Sequence, residues 1–372
     1  MPSAPASSSG SGDAVIELGW GKELEAGFAP YGAQGHVAGR VVTVHRGVCR
    51  VRTAEAELDI VVQRGFRRAA AGSGGYPAVG DWVALEPFGD GSGAALRAIL
   101  PRRSAFTRKV AGLAVTEQVV AANVDVVLLV ASLNHEFNAR RLERYLALAW
   151  TSGAEPVVVL SKLDLCPDPG PYLAQVREIA PTVSTHPVSG VTGQGLDGLN
   201  PYMGPGRTVA LLGSSGVGKS TIANALLGWE RQHTAAIRED DARGRHTTSV
   251  RELIVLPTGG ILIDTPGMRE IQLWEAEDGV ETVFDDISAL AADCRFGDCR
   301  HVSEPGCAVL AAIADGSLAR ERLESQRKLE RELRSLERRQ NPPSSRAGQR
   351  KLGRLYRDAS KVAMRRSTWE AD

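Results

Sequence analysis

The sequence predicts a multidomain chain in three parts: an N-terminal β-barrel, a central α/β sheet and a helical C-terminal part built on a metal site. Three observations carry this reading. Residues 37–100 hold short apolar runs broken by glycine, and from about residue 119 to 274 apolar strands alternate with helical stretches. Three cysteines and a histidine then cluster between Cys294 and Cys307. At 372 residues the chain has room for two or three cores. The expected divisions are a largely disordered leader over 1–34, a barrel over 35–110, an α/β domain over 115–275 and a metal-binding, basic helical domain over 280–372.

After Met1, the residues up to Gly12 are Ser, Ala, Pro and Gly without a basic or apolar stretch, so they do not read as a signal peptide. The most apolar run, 124–133, is far short of the ~20 residues that cross a bilayer. Clustered rather than scattered cysteines favour metal binding in a reducing compartment over disulfides. The expectation is a cytoplasmic protein with no membrane partner.

In the first part, 37–45, 48–53, 58–62, 81–86 and 96–100 read as strands. Five short strands fit a small barrel of the oligonucleotide-binding type, the OB-fold. Arg40, Arg46, Arg50, Arg52, Arg64, Arg67 and Arg68 would give it a positive face for phosphate backbones, or form only the solvated side of its strands. In the second part, strands are expected at 124–131, 156–160, 182–187, 209–212, 251–256 and 260–263, with helices such as 139–151 and 219–227 between them. Buried strands joined by helices make an α/β sheet.

Gly213-Ser214-Ser215-Gly216-Val217-Gly218-Lys219-Ser220 matches G-x-x-x-x-G-K-[ST] in full, after a strand and opening a helix. Its glycines let backbone N–H groups wrap a β-phosphate, Lys219 reaches the β- and γ-phosphates, and the Ser220 hydroxyl can ligate Mg²⁺. Thr221 continues the loop into the helix. Asp264-Thr265-Pro266-Gly267 follows an apolar strand, where Asp264 can hold the magnesium shell and the Gly267 amide can sense a γ-phosphate. Such a D-x-x-G downstream of a phosphate loop points to GTPase switch machinery. Between them, Gly244-Arg245-His246-Thr247-Thr248 lies in a polar stretch, and Thr248, preferred over Thr247, could complete the magnesium coordination.

Ser161-Lys162-Leu163-Asp164 ends the strand 156–160. A carboxylate there accepts from the N1 and N2 donors of guanine, which adenine does not offer, while a lysine stem covers the ring. Val188-Ser189-Gly190 ends another strand and could place an amide against the guanine O6. These base-reading segments precede the phosphate loop, whereas in ordinary GTPases they follow it, so the order is circularly permuted. The permutation tethers the C-terminal part directly behind the D-x-x-G.

Cys294-x4-Cys299-x-His301-x5-Cys307 offers three thiolates and an imidazole, the set of a closed structural Zn²⁺ site. No position is left for a catalytic water. Cys49 and Cys166 stand apart and read as packing or surface residues. Residues 307–314 and 318–339 are expected to be helical, the second with Leu329, Leu333 and Leu336 on one face amid arginines and lysines. Positive charge in excess from Arg320 onward points to an anionic partner.

The permuted order, Asn123-Val124-Asp125 opening the first strand, Arg245-His246-Thr247-Thr248 and the Cys294 to Cys307 cluster together resemble the ribosome-small-subunit-dependent GTPase A family over nearly the whole chain beyond the leader. The resemblance implies GTP hydrolysis stimulated by the small ribosomal subunit during its late maturation, contact with ribosomal RNA and release afterwards. It also nominates His246 to orient the attacking water, since Met268 stands where Ras-like enzymes carry glutamine. Ser161 stands where asparagine is usual, which removes an amide that braces the phosphate loop and implies weaker guanine binding. The implied cofactors are one structural Zn²⁺ and Mg²⁺ with GTP, and nothing demands more than a monomer. A nucleotide-gated RNA-binding module with incidental hydrolysis is the second reading; a P-loop kinase or ATPase is disfavoured by Ser161 to Asp164 and Asp264 to Gly267.

Overall fold

The computed structural model describes residues 13–45, 47–63, 66, 75–90, 92–110, 116–228, 251–264, 280 and 282–340. His246, Thr247, Thr248 and Gly267, together with Arg46, Arg64, Arg67, Arg68 and the basic residues beyond 340, lie outside them.

Two helices open the described chain, α1 (Asp13–Ile16) and α2 (Lys22–Gly32). They correct the expectation of a largely disordered leader up to residue 34. The segment folds because it has something to cover: Leu18 and Leu24 are buried, and Trp20 meets Phe28 and Trp82 edge-on.

Five strands follow: β1 (Val37–His45), β2 (Val48–Thr53), β3 (Glu57–Val61), β4 (Trp82–Pro87) and β5 (Ala94–Ile99). All neighbouring pairs are antiparallel, in the order β3-β2-β1-β4-β5, and β5 comes back against β3. Around the closed circuit Val41, Val51, Ile60, Val83 and Leu85 point into one small core. Period-two patterning is what sends them there together.

Strands β6 (Ala105–Val110) and β7 (Thr116–Ala122) form a hairpin that the sequence reading did not separate out. The central strands are β8 (Val126–Ser132), β9 (Glu155–Ser161), β10 (Thr185–Pro187), β11 (Thr208–Leu212), β12 (Arg251–Val255) and β13 (Ile261–Asp264). They lie in the order β10-β9-β8-β11-β13-β12, parallel except for β12. β12 then pairs antiparallel with β1, so one sheet runs from the α/β part into the N-terminal strands.

The near-continuous apolar strands are explained by burial on both faces. Val127 and Leu129 of β8 join one core, which holds Leu142 and Leu146 of helix α3 (Ala139–Ser152) and Val176 of α4 (Gly170–Ile179). Val126, Leu128 and Val130 join the other, with Ile222 and Ala223 of α5 (Lys219–Leu227). Asn138 starts α3 by accepting a hydrogen bond from the Arg141 amide, and Gly153 ends it in the left-handed region.

The C-terminal part comprises α6 (Asp285–Ala292), α7 (Ala308–Asp315) and α8 (Arg320–Gln340). Helix α8 begins two residues later than its apolar pattern suggests. Among the described residues, no helix is long and apolar enough to cross a membrane.

Arg40 does not face solvent. It is 1% exposed, and its guanidinium donates to the carbonyls of Leu18, Gly80 and Asn123 and to the Thr208 hydroxyl. Burial pulls its pKa down to about 10. One side chain thus ties the N-terminal segment, the β-rich part and the central sheet. Arg50 and Arg52 pair with Asp59 and Glu57 on the neighbouring strand. These three arginines therefore give no free positive face.

Candidate nucleotide site and metal cluster

The loops that follow β8, β9, β10 and β11 leave the same edge of the sheet, where β13 also ends, the carboxyl end at which open parallel sheets bind ligands. The phosphate loop leaves β11 and enters α5 as expected. Gly213 has to be glycine, because a Cβ there would stand 2.4 Å from the Val130 carbonyl. Gly216 and Gly218 have φ of 79° and 97°, the left-handed backbone that turns successive amides inward. The Lys219 ammonium donates to the carbonyls of Gly213 and Ser214 at 2.7 and 2.5 Å, across the mouth of the loop. From there it can exchange carbonyl oxygens for phosphate oxygens. The N-terminus of α5, with Ser220 and Thr221 in its first turn, points its amides the same way.

The base-reading segments assemble against this loop. Ser161, 2% exposed at the end of β9, places its hydroxyl 2.5 Å from the Val217 carbonyl inside the loop and 3.2 Å from the Ala131 carbonyl. A hydroxyl has one hydrogen, and the shorter contact takes it. The expectation that serine removes the brace is thereby corrected: the Ser161 hydroxyl itself reaches the Val217 carbonyl of the loop. Lys162 adopts φ 64° and its ammonium lies 3.7 Å from the Glu136 carboxylate. Asp164 falls in a single 3-10 turn, Leu163–Leu165, where one carboxylate oxygen accepts from the Ser189 hydroxyl at 2.6 Å. That hydroxyl accepts in turn from the amides of Val191 and Thr192. Gly190 packs on Thr221 and Ile222, with space for no Cβ without displacement.

The two base segments and the phosphate loop are therefore one cluster, although 161–164 and 213–220 are separated in sequence. Asp264 closes β13, beside β11, at the same edge. Sequence reasoning missed two residues of this cluster. Arg141 donates to the Ser214 hydroxyl at 2.8 Å and the Tyr145 hydroxyl lies 3.3 Å from it, both from helix α3. Their spacing of four residues was the available signal. Asn123-Val124-Asp125, read only as part of a resemblance, proves to be a clamp. Buried Asn123 has φ 54°, donates to Gly80 O and accepts from the Arg103 amide, while Asp125 accepts from the Thr208 amide at 2.7 Å.

The predicted metal ligands converge. One ligand atom from each of Cys294, Cys299, His301 and Cys307 lies within 4.8 Å of the others. Cys294 Sγ and Cys307 Sγ are 3.8 Å apart, and His301 Nδ1 is 3.6 and 3.4 Å from them. Ligand distances of about 2.3 Å for sulfur and 2.0–2.1 Å for nitrogen give tetrahedral edges of about 3.8 and 3.5 Å. The donor set is thus consistent with zinc. His301 reaches in from a left-handed backbone (φ 58°), and Arg327 of α8 fixes its turn by donating to the Arg300 and His301 carbonyls. Cys307 also caps α7, its sulfur accepting from the Leu310 amide.

A family model described as "RsgA GTPase" matches residues 99–274, and one described as "50S ribosome-binding GTPase" matches 208–341, starting at the phosphate-loop strand. Curated proteins named "Small ribosomal subunit biogenesis GTPase RsgA" are similar along most of the chain. The one from Streptomyces avermitilis is 49% identical, covering 89% of each chain; the one from Opitutus terrae is 44% identical, covering 96% of this chain and all of its own. Among solved structures, YjeQ from Thermotoga maritima aligns with a TM-score of 0.59 at 27% identity, over 80% of this chain and 98% of that one. YloQ, described as a circularly permuted GTPase, aligns with a TM-score of 0.58 at 24% identity, over 81% and 96%.

Proposed function

The chain belongs to the RsgA family of circularly permuted GTPases, and from that premise we propose that it hydrolyses GTP as a late maturation factor of the small ribosomal subunit, with its turnover stimulated by that subunit. The observation that carries the proposal is the hydroxyl of Ser161 against the Val217 carbonyl, which joins base-reading strand and phosphate loop into one site despite their inverted order.

In this reading the amides of 213–219 cradle the phosphates and Lys219 moves onto the β- and γ-oxygens. Asp164, oriented by Ser189, accepts from guanine N1 and N2, and the Ser189–Gly190 turn offers an amide to O6. Ser220 and Thr248 would hold Mg²⁺, which when bound neutralises charge at the β- and γ-phosphates; Asp264 serves its outer shell and the Gly267 amide senses the γ-phosphate. His246 positions the attacking water. Cys294, Cys299, His301 and Cys307 would hold one structural Zn²⁺, fixing the start of α7 and the turn against α8. The division into leader, barrel over 35–110, GTPase domain over 115–275 and C-terminal domain over 280–372 is retained, with the leader shortened to the residues before Asp13. The barrel and the basic C-terminal part share the work of binding ribosomal RNA, two modest contacts made strong by linkage. The protein works as a monomer in the cytoplasm.

Sedimentation with isolated subunits tests the partner. In the presence of a non-hydrolysable GTP analogue the protein is expected to pellet with small subunits and not with large ones, and to stay in the supernatant with GDP. Pelleting with large subunits alone would favour the other matched description and overturn the assignment.

A further inference from the structure

Helix α3 touches the phosphate loop on one face and the C-terminal part on the opposite one. Arg141 and Tyr145 reach Ser214. At 3.6 residues per turn, Glu143 points about 180° from the mean direction of those two. It is 2% exposed, and its carboxylate meets the Arg322 guanidinium of α8 at 3.4 Å. Arg322, 7% exposed, is itself held by Asp286 of α6 at 2.6 and 2.9 Å and by the Val283 carbonyl, with its guanidinium over the Phe284 ring. The next residue of α3, Arg144, reaches Glu332 further along α8 at 3.4 Å.

A buried carboxylate and a buried guanidinium make a directional contact with little tolerance for sliding, since separating them strands a charge in a dry site. Burial already pushes the Glu143 carboxyl up, against the pull of Arg322. Between the two contacts, Leu142 and Leu146 seat α3 on the sheet, so the helix moves as a rigid rod. At the other end, Ser214 is held at both its carbonyl and its hydroxyl. Its carbonyl accepts from Lys219 and its hydroxyl from Arg141. When Lys219 leaves for the phosphates, the contacts from α3 remain, the charged one from Arg141 at 2.8 Å and the longer one from Tyr145 at 3.3 Å.

We propose that α3 is a lever coupling the phosphate loop to the C-terminal domain, with Arg141 as the positioning residue for Ser214 and Glu143–Arg322 as the latch at its far side. This rests on the reading of 213–220 as a GTP phosphate loop, and it assigns the route by which nucleotide state and C-terminal docking regulate each other. Coupling of this kind is reciprocal, so nucleotide must tighten the latch as much as the latch tightens nucleotide.

Hydrogen exchange on the full-length, metal-loaded protein reads it directly. Saturating GDP is expected to slow exchange of α8 amides at 320–334 at least threefold in the wild type. That protection should vanish in Arg141→Ala and in Glu143→Gln, while exchange in the phosphate loop itself still responds to GDP. Glu143→Gln keeps the side-chain shape and leaves Arg322 its Asp286 partner, so the domain stays folded. Equal α8 protection in Arg141→Ala and wild type, or no α8 response in the wild type despite GDP protecting 213–220, would overturn the lever. Absence of any GDP response at 213–220 would overturn the site reading beneath it.

Discussion

Replacing Ser161 with alanine removes a single hydroxyl, and the structure sets the size of the effect. The hydroxyl donates to Val217 O at 2.5 Å in a buried position, with Ala131 O at 3.2 Å the other such neighbour among the described residues. Deleting the donor leaves a buried carbonyl of the phosphate loop short of a partner, at a net cost of about 1–1.5 kcal/mol. If the loop is held in its binding shape by this bond, that cost appears as roughly five- to tenfold weaker GDP and GTP binding. Titration with a fluorescent GDP derivative measures it, and stopped flow should assign most of the change to faster release. Preference for GTP over ATP should be unaffected, because Asp164 and Ser189 are untouched. Ser161→Asn should bind at least as well as wild type, since an amide offers two hydrogens where the hydroxyl offers one. Wild-type affinity in Ser161→Ala, with an unchanged melting temperature, would show that the contact braces nothing.

Three further perturbations address the base contact, the metal cluster and the buried arginine. Asp164→Asn should cost roughly 2–3 kcal/mol of GTP binding, about 30- to 150-fold, and raise the affinity for xanthosine nucleotides, whose 2-oxo group accepts where the 2-amino group of guanine donates; competitive displacement of labelled GDP reads both. Cys299→Ser, or removal of metal by a chelator, should empty the four-ligand cluster, lower the melting of the C-terminal part and leave GDP affinity within about threefold of wild type, as metal analysis, calorimetry and titration would record. Arg40→Met removes the buried donor to the carbonyls of Leu18, Gly80 and Asn123 and to the Thr208 hydroxyl, of which Gly80 keeps the Asn123 side-chain amide, so it should destabilise the protein by about 3 kcal/mol in denaturant unfolding.

What could be read in the sequence follows from how local each signal is. Strands β1 and β2 and helix α5 fall where their patterns place them, because alternation and a phosphate-loop motif are written in adjacent residues. The four metal ligands are likewise legible from thirteen residues of spacing, from Cys294 to Cys307. Long-range contacts are not. Arg40 reads as one of several surface arginines, and only the fold brings Leu18, Asn123 and Thr208 around it. Ser161 reads as a lost brace until the closeness of β9 to the loop is known. The helix α2 is hidden by a composition that looks like a leader and by Pro30 within it; it is stabilised by docking Leu24 onto a core built elsewhere. Arg141 and Glu143 sit two residues apart on one helix, yet their partners lie 73 and 179 positions away.

In the proposed function, this permuted site is a GTPase switched on by one ribosomal subunit. Steady-state hydrolysis of GTP by the purified protein, alone and with isolated small or large subunits, with ATP as control and with His246→Ala beside the wild type, tests it most directly. Turnover should be slow alone, strongly stimulated by small subunits only, unresponsive with ATP, and without the stimulated rate in His246→Ala. Equal rates with and without small subunits, or full stimulation by large ones, would contradict it.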